Sequence, residues 1–469
     1  MTRIISINPI TRISGFLEIT IEVDNNTVID AKSGGMLFRG FEKILRGRSP
    51  FDAIYLTERI CGICSTAHSI ASTLALEDVL GVKPNRNDKM MRDFAHGCEI
   101  LQNHLRHFYQ FTLPDYVRGL ETSPLDSSFH HDYRIPQEIN AELALHYKES
   151  FEFGRLAHQM LAALGGKAPH NHGVFVGGMT VTLNSSDFIM LKSILFQIKE
   201  FIKTKMIPDV LTIAKFYSDY FLIGNGHKSM LSYGLFDDYE EADLFYIEPQ
   251  VMINGKRRKL DTTKITENIQ YSWYESEKQN HLPTEPTIEE NVHKEDAYSF
   301  IKAPRYEGFA VEVGPLARMV LSGNYVGGSS TMDRTIARVL ETEKIASILE
   351  GILNRVSIQS TNQKKYEIPE ESTGKGLTDT ARGALGHWIS IKNNEIQNYE
   401  IITPSAWNLS STDSQGVKGP VEHCLLNISL INLKNPVEVG RIVRSYDPCV
   451  SCATHVISNQ YEPIQIQLM

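Results

Sequence analysis

From Leu17 the chain alternates apolar and polar side chains, Leu17-Glu18-Ile19-Thr20-Ile21-Glu22-Val23, and then passes through Asp24-Asn25-Asn26 into Thr27-Val28-Ile29-Asp30-Ala31. Alternation with a period of two sends one set of side chains to one face of a strand, and the Asp-Asn-Asn run is turn chemistry. The segment therefore predicts an N-terminal β-hairpin. Further along, the period lengthens to that of a helix. Leu191, Ile194, Leu195, Ile198, Phe201 and Ile202 make one apolar stripe between Met190 and Met206, and Ile336, Val339, Leu340, Ile345 and Leu349 make another between Thr331 and Leu353. These stripes read as core faces. The stretch from Glu275 to Glu295, with Pro283, Pro286 and many charges, reads as a surface excursion. No internal repeat or low-complexity tract interrupts the chain. The expected fold is predominantly α with small β elements, an α+β chain forming one large interwoven helical domain.

Composition narrows the function. The 469 residues are 42% hydrophobic and 22% charged, an ordinary globular balance that excludes disorder and permits a large core. With 47 Lys+Arg against 56 Asp+Glu the net charge is -9, so there is no basic surplus for gripping nucleic acid. No apolar run reaches the roughly 18 residues that a membrane span needs. The start, Met1 to Pro9, lacks the apolar stretch of a signal peptide. We therefore expect a chain that is cytoplasmic as synthesised and reaches a membrane, or its far side, only through a partner subunit.

Six cysteines are too few to staple a fold of this size, so each thiol asks for a local explanation. Cys61 and Cys64 form one Cys-x-x-Cys pair, Cys449 and Cys452 a second, and Cys98 and Cys424 stand alone. A pair at this spacing turns two sulfurs toward one ion, and two pairs offer four thiolates. A structural zinc site is one reading, and a zinc-stabilised structural protein one alternative. Compact zinc modules, however, keep their pairs close together, whereas nearly the whole chain separates these. Thioredoxin-like redox motifs are a second reading, but neither pair lies in a recognisable strand-to-helix unit. Cys98 and Cys424 read as small buried hydrophobes.

The flanks carry more. The first pair lies in Glu58-Arg59-Ile60-Cys61-Gly62-Ile63-Cys64-Ser65-Thr66-Ala67-His68, and the second in Asp447-Pro448-Cys449-Val450-Ser451-Cys452-Ala453-Thr454-His455. Together they resemble the two signatures of the [NiFe] hydrogenase large subunit, in order, one near each end of the chain. Phe38-Arg39-Gly40-Phe41-Glu42, Glu312 to Arg318, Ala381-Arg382-Gly383-Ala384-Leu385-Gly386-His387-Trp388 and Pro404-Ser405-Ala406-Trp407-Asn408 also resemble that family. The likeness covers essentially the whole chain.

The resemblance implies a nickel–iron centre closed between the two cysteine pairs. Cys61 and Cys449 would be terminal nickel ligands, and Cys64 and Cys452 would bridge nickel to an iron carrying cyanide and carbon monoxide. Soft thiolates suit both metals. His68 matches the histidine that hydrogen-bonds a bridging sulfur. Arg382 matches the arginine over the open metal position, Asp447 the carboxylate that orients it, and Ser405 the hydroxyl that donates to a cyanide. Glu42, His455 and the backbone carbonyl near Ile401 match the ligands of a buried magnesium or similar divalent ion, for which oxygen donors are apt. The implied reaction is reversible heterolytic cleavage of H2, with the proton passing to Cys449 or Arg382. An H2-sensing regulatory subunit is the alternative use of the same centre, and a metal-free structural relative is disfavoured by retention of all four cysteines.

The two lone cysteines cannot hold an iron–sulfur cluster, so electrons are expected to leave through an iron–sulfur small subunit. The resemblance also implies nickel-insertion factors and a maturation protease that cuts after His455. Residues 1–455 would then be the mature domain, and the tail from Val456 to Met469 the removable extension. One departure stands out. Where the family usually reads Thr-Arg-Ile-Glu-Gly-His, this chain reads Thr11-Arg12-Ile13-Ser14-Gly15-Phe16. A serine is no carboxylate relay, so the proton path is expected to be rerouted. Ala381 replaces a frequent proline, and Asn103 lies near where an active-site aspartate is often found.

Overall fold

The computed structural model of the chain describes residues 2–120, 130–358 and 365–453, with residues 452 and 453 described by their backbone alone. Near the N-terminus, β2 (Leu17–Asp24) pairs antiparallel with β3 (Thr27–Gly35), and β1 (Arg3–Ile7) lies along the other edge of β2. Leu17, Ile19, Ile21 and Val23 all face inward, as the alternation requires. On the far side of β3, Val28 exchanges backbone hydrogen bonds with Asn427 and Ile428, so the C-terminal part of the chain begins to interleave with the N-terminal sheet.

Short helices α1 (Phe41–Leu45) and α2 (Asp52–Thr57) lead to α3 (Ser65–Leu80) and the long α4 (Arg86–Arg106). Helix α5 (Gln137–Gly165), α6 (Ser185–Phe201) and α7 (Ile207–Phe216) follow. The stripe read between Met190 and Met206 belongs to α6, but the helix starts earlier. Asn184 and Asp187 form a capping box that satisfies the first orphan N–H groups. It ends earlier too, because a π-helical turn over Ile202–Met206 shifts the frame into α7. Helix α8 (Pro315–Leu321) precedes α9 (Thr331–Leu353), whose stripe and boundaries coincide and whose Ser330–Asp333 capping box marks its start. Helices α4, α5, α6 and α9 pack around a single apolar cluster that includes Phe94, Leu101, Leu161, Leu195, Ile198, Ile345 and Leu349. Among the described residues no helix is long and apolar enough to cross a membrane.

The β content exceeds small elements, and the fold is a mixed α+β one. Strands β4 (Glu371–Thr380), β5 (Gly383–Lys392) and β6 (Glu395–Ile402) form an antiparallel sheet in that order. The alternation that exposes β2 is missing from β5, where Gly383 through Ile389 are all buried, so both faces are apolar and the period of two disappears. The stretch read as a surface excursion is likewise partly structured. Tyr274-Glu275 pairs with Glu289-Glu290, Asn280-His281 pairs with the strand Ile265–Asn268, and Tyr274, His281 and Ile288 are buried.

Helix α3 lies directly on β4. A Cβ on Gly376 would overlap the carbonyl oxygen of Ala71, and one on Gly374 would stand 2.5 Å from the carbonyl oxygen of Ala75. These glycines bring the helix that starts at Cys64 against the sheet that carries Arg382. The chain then closes through α10 (Pro404–Asn408), α11 (Pro420–Leu425), α12 (Val437–Ser445) and α13 (Val450–Ala453). Ser14 forms a parallel bridge with Cys449: its N–H donates to the Pro448 carbonyl at 3.1 Å, and the Val450 N–H donates to its carbonyl at 2.7 Å. Gly15 allows this clasp, since a Cβ there would stand 2.6 Å from the Ser451 nitrogen.

Gly376→Ala is expected to lower stability by about 1–3 kcal/mol through overpacking of α3 on β4. Gly154→Ala, on α5 with no close neighbour, is expected to be neutral or stabilising by up to about 1 kcal/mol. Urea unfolding of both variants measures the difference.

Candidate metal centre

The first cysteine pair sits where one helix stops and another starts. After α2 a single 3-10 turn, Glu58–Ile60, ends at Cys61 in an extended conformation, and Cys64 caps the N-terminus of α3. The Ile63 N–H donates to the Cys61 sulfur at 3.2 Å, curling the loop around it. Cys449 arrives from the opposite end of the chain through the Ser14 clasp, and its N–H donates to Ser405 Oγ at 2.9 Å. The sulfurs of Cys61, Cys64 and Cys449 lie within 4.8 Å of one another, and all three residues are buried. Cys61 and Cys449 approach to 3.3 Å, far longer than a disulfide of about 2.05 Å. Metal–thiolate bonds run about 2.3 Å for zinc, so sulfurs sharing one ion stand up to about twice that apart, a span comparable with the 4.8 Å limit of this trio. The Cys452 side chain and His455 lie outside the described residues.

A buried arginine faces this trio. Arg382 donates through Nε to the Asp447 carbonyl at 2.9 Å and through Nη2 to Asp447 Oδ1 at 3.0 Å, while its buried Nη1 has no partner among the described residues. Burial alone would lower its pKa, but Asp447 and the thiols of Cys449, Cys64 and Cys61 raise it well above the ordinary value, so it is a permanent cation. Burial would push the Asp447 carboxyl up; Arg382, His107 and Arg338 instead hold it well below the usual carboxylate range. Asp447 has a φ of 55, a left-handed conformation that aspartate tolerates better than most residues. Asn103 Nδ2 donates to Asp447 Oδ2 at 2.8 Å. The residue sequence reading left beside the site thus touches the carboxylate that anchors Arg382.

Around the sulfurs the polar groups are ordered. Burial lowers the His68 pKa to about 4, partly offset by Cys449, so the ring is neutral near pH 7. Its Nδ1 is 3.1 Å from His387 Nε2, and His387 Nδ1 is 2.8 Å from the Tyr399 hydroxyl. Cys64 has no side-chain oxygen with which to cap α3; the carboxylate of Glu99, on α4, accepts from the N–H groups of Thr66 at 2.7 Å and Ala67 at 3.0 Å instead. Glu58 is wholly buried and one of its oxygens has no partner among the described residues. Burial raises its pKa to about 8, and that of Glu99 to about 7. Arg39 donates to the carbonyls of Arg59, Ile60 and Ser451, tying the two cysteine loops together.

Glu42 lies in a different cluster. It is buried on α1, and Oε1 accepts from the Ile401 N–H at 3.3 Å. Burial, with Glu400 next, raises its pKa well above the usual range, Lys302 opposing. Lys302 itself donates to Glu267 and Glu400. Three buried carboxyls outnumber the one ammonium, so Glu42 holds its proton, and oxygen donors of this kind suit a hard divalent cation that would displace that proton.

The nickel-dependent hydrogenase family model matches residues 39–128, 118–328 and 324–455. The chain belongs to this family. It is 35% identical to the periplasmic [NiFeSe] hydrogenase large subunit of Desulfomicrobium baculatum, over 97% of this chain and 95% of that one. It is 30% identical to the quinone-reactive Ni/Fe-hydrogenase large chain of Wolinella succinogenes, over 98% and 97%. Among solved structures, the H2-activated [NiFeSe] hydrogenase of Dm. baculatum superposes with a TM-score of 0.93 at 35% identity, covering 97% of this chain and all of that one. The as-isolated oxidised Ni-Fe-Se hydrogenase of D. vulgaris Hildenborough matches at 0.93 and 35%. The protein is thus a hydrogenase large subunit and an oxidoreductase, and the family implies a nickel–iron centre.

Sequence reading singled out Cys61, Cys64, Cys449, His68, Arg382, Asp447 and Ser405, and the structure brings them to one place; Glu42 and Ile401 meet elsewhere. It passed over Glu99, Arg338 and His387 as individual residues. His387 lay within a quoted segment, but Glu99 and Arg338 sit on helices whose surroundings no local pattern reveals. Cys98 is fully buried among apolar neighbours, whereas Cys424 Sγ is 2.9 Å from the Tyr446 hydroxyl and 3.3 Å from Arg334 Nη2, so it is hydrogen-bonded rather than merely apolar.

Glu58 sets a pH dependence with a definite sign. Between the ordinary glutamate range and about 8 the folded chain keeps this proton while the unfolded chain has lost it, so stability falls as pH rises through that window. Glu58→Gln is expected to flatten the decline, by up to about 1.4 kcal/mol per pH unit, in urea unfolding of the metal-free chain between pH 5 and 8.

Proposed function

We propose that this chain splits H2 heterolytically, and reversibly, at a nickel–iron centre held by Cys61, Cys64, Cys449 and Cys452. Cys61 and Cys449 would hold the nickel, and Cys64 and Cys452 would hold it together with an iron carrying cyanide and carbon monoxide. The observation that carries this reading is the trio of buried sulfurs within 4.8 Å of one another, with an unpartnered guanidinium nitrogen among the groups around them. Soft donors in a dry pocket fit nickel and low-spin iron. When bound, such a centre acts as a Lewis acid that makes H2 acidic enough to lose a proton.

The chain's own groups divide the remaining work. Arg382 is held cationic by Asp447, so it is a poor proton acceptor and a good stabiliser of developing negative charge through Nη1. The proton therefore goes to Cys449 Sγ rather than to Arg382. Ser405 Oγ already accepts from the Cys449 N–H, which leaves its own proton free to donate to an iron-bound cyanide. His68 orients a bridging sulfur. Glu42, His455 and the Ile401 carbonyl hold a magnesium or similar ion that ties the C-terminal end to the core. With Ser14 contributing its backbone to the clasp, Glu58 and Glu99 are carboxyls near the first cysteine pair whose raised pKa values suit them to carry protons.

Cys98 and Cys424 are buried apart from each other, so electrons leave through an iron–sulfur small subunit. Nickel-insertion factors and a protease that removes residues 456–469 complete assembly, and the chain follows its partner to any compartment beyond the cytoplasm. Co-expression with the partner is expected to give material holding nickel and iron, not zinc, with H2 uptake and a chain mass ending at His455. Cys449→Ser is expected to lose both nickel and activity. Zinc in place of nickel, or an intact Met469 in active enzyme, would contradict the corresponding part of the reading, and bound nickel without turnover would favour an H2 sensor.

A further inference from the structure

We propose that Arg338 is a positioning residue for H2 cleavage: with Asn103 it engages Asp447 Oδ2, and so keeps Arg382 from turning its end-on pair, Nη1 and Nη2, to that carboxylate. This rests on the function proposed above and concerns a residue that touches none of the cysteines in the hydrogen-bond network.

The argument begins at the far end of a buried chain of polar contacts. Arg318, on α8, donates through Nε and Nη2 to the two oxygens of Glu341, both at 2.7 Å. Burial opposes ionisation of Glu341, but Arg318 holds its carboxyl well below the usual range, so Glu341 only accepts. His104 Nε2 lies 2.8 Å from Glu341 Oε2 and must therefore be the ring nitrogen that carries the proton. Burial keeps His104 neutral near pH 7, lowering its pKa to about 4. Its Nδ1 is then a lone pair, and Arg338 Nη1 donates to it at 3.2 Å. The tautomer of His104 follows from its partners, and the guanidinium of Arg338 is held on one side by a donor–acceptor order that admits no reversal.

On its other side Arg338 Nη1 reaches Asp447 Oδ2 at 3.3 Å, where Asn103 Nδ2 also donates at 2.8 Å. Asn103 and His104 are neighbours on α4, and Arg338 and Glu341 are one turn apart on α9, so the packing of these two helices sets the arrangement. Arg338 Nη1 also lies 3.4 Å from the Ala381 carbonyl, so Asn103 and Arg338 share Oδ2, while Arg382 uses Oδ1 for Nη2 and turns its Nε to the Asp447 backbone carbonyl. An arginine facing both oxygens of a carboxylate ordinarily takes a bidentate fork, and the end-on form of that fork would consume Nη1 together with Nη2. Here the fork is split between a side chain and a backbone oxygen, and Nη1 is left over. Arg338 and Arg382 are like charges sharing one carboxylate, an arrangement with a cost that specific placement of Nη1 would justify.

The test compares Arg338→Gln and Arg338→Lys in the full chain, with its partner for kinetics and metal-free for structure. In Arg338→Gln, with Asn103 left as the one donor to Oδ2, Asp447 is expected to rotate and draw Nη1 of Arg382 into an end-on fork. The kcat for H2 should fall about 100-fold, the scale expected when a catalytic group moves by about 1 Å, with KM and nickel content within about twofold of wild type. Arg338→Lys, which restores a cation at one point, should recover part of kcat. An unmoved Asp447 and Arg382, a wild-type kcat, or nickel lost in parallel with activity would overturn the proposal. If Arg338→Gln does not fold, Arg338→Lys decides: a several-fold lower kcat at full nickel content supports it, and wild-type kcat overturns it. A wild-type chain without nickel would instead overturn the proposed function, and the Asp447 geometry of the metal-free variant would still test Arg338.

Discussion

Taking a guanidinium and several thiols out of water together is the constraint on which the centre depends. An isolated buried charge costs several kcal/mol even after relaxation, so it persists only where opposite charges and hydrogen bonds surround it. Arg382 meets this condition through Asp447 on one side and the cysteine sulfurs on the other. Asp447 meets it through Arg382, Arg338 and Asn103. Each of these groups comes from a different part of the chain, and each is stable in its ionised form only because the others are in place. The same coupling that makes the network hold also makes it specific, since removal of one member leaves another buried and unmatched.

Geometry then follows from how the chain ends meet. The parallel bridge between Ser14 and the residues on either side of Cys449 carries the second cysteine loop to the first, and Arg39 stitches both loops through three carbonyls. Glu99 replaces the side-chain cap that Cys64 does not provide, so a cysteine can begin α3 with its sulfur turned to the site instead of to its own backbone. The glycines of β4 let α3 lie close enough for the sheet carrying Arg382 to reach the same point. Ser14 is instructive here: whatever its side chain does in proton transfer, its backbone belongs to the clasp.

Legibility in the sequence tracks how local each signal is. Cysteine spacing with the flanking His68 and Asp447 is local, and Arg382 lies in a short segment of its own that resembles the family, so the donor set was readable without coordinates. The stripe from Thr331 to Leu353 has both its capping box and its period within a few residues, and its boundaries coincide with α9. By contrast β5 is buried on both faces and shows no alternation, so the C-terminal sheet was under-read and the fold looked more helical than it is. The 275–295 stretch misled for the opposite reason, because its charges and prolines hide the buried Tyr274, His281 and Ile288.

By itself the sequence determined the chemistry: which soft donors are present, that they come in two pairs, and that the remaining thiols are too few for electron transfer. Those are properties of residue type and spacing. Only the tertiary structure decided which polar groups act on that chemistry. Glu99, Arg338 and His387 become part of the site's surroundings through contacts between elements far apart in the chain, and their protonation states are set by burial and by partners that no local window contains. The same physical reason explains Cys424, which looks like a small apolar filler in sequence and is found between a tyrosine hydroxyl and a guanidinium in space.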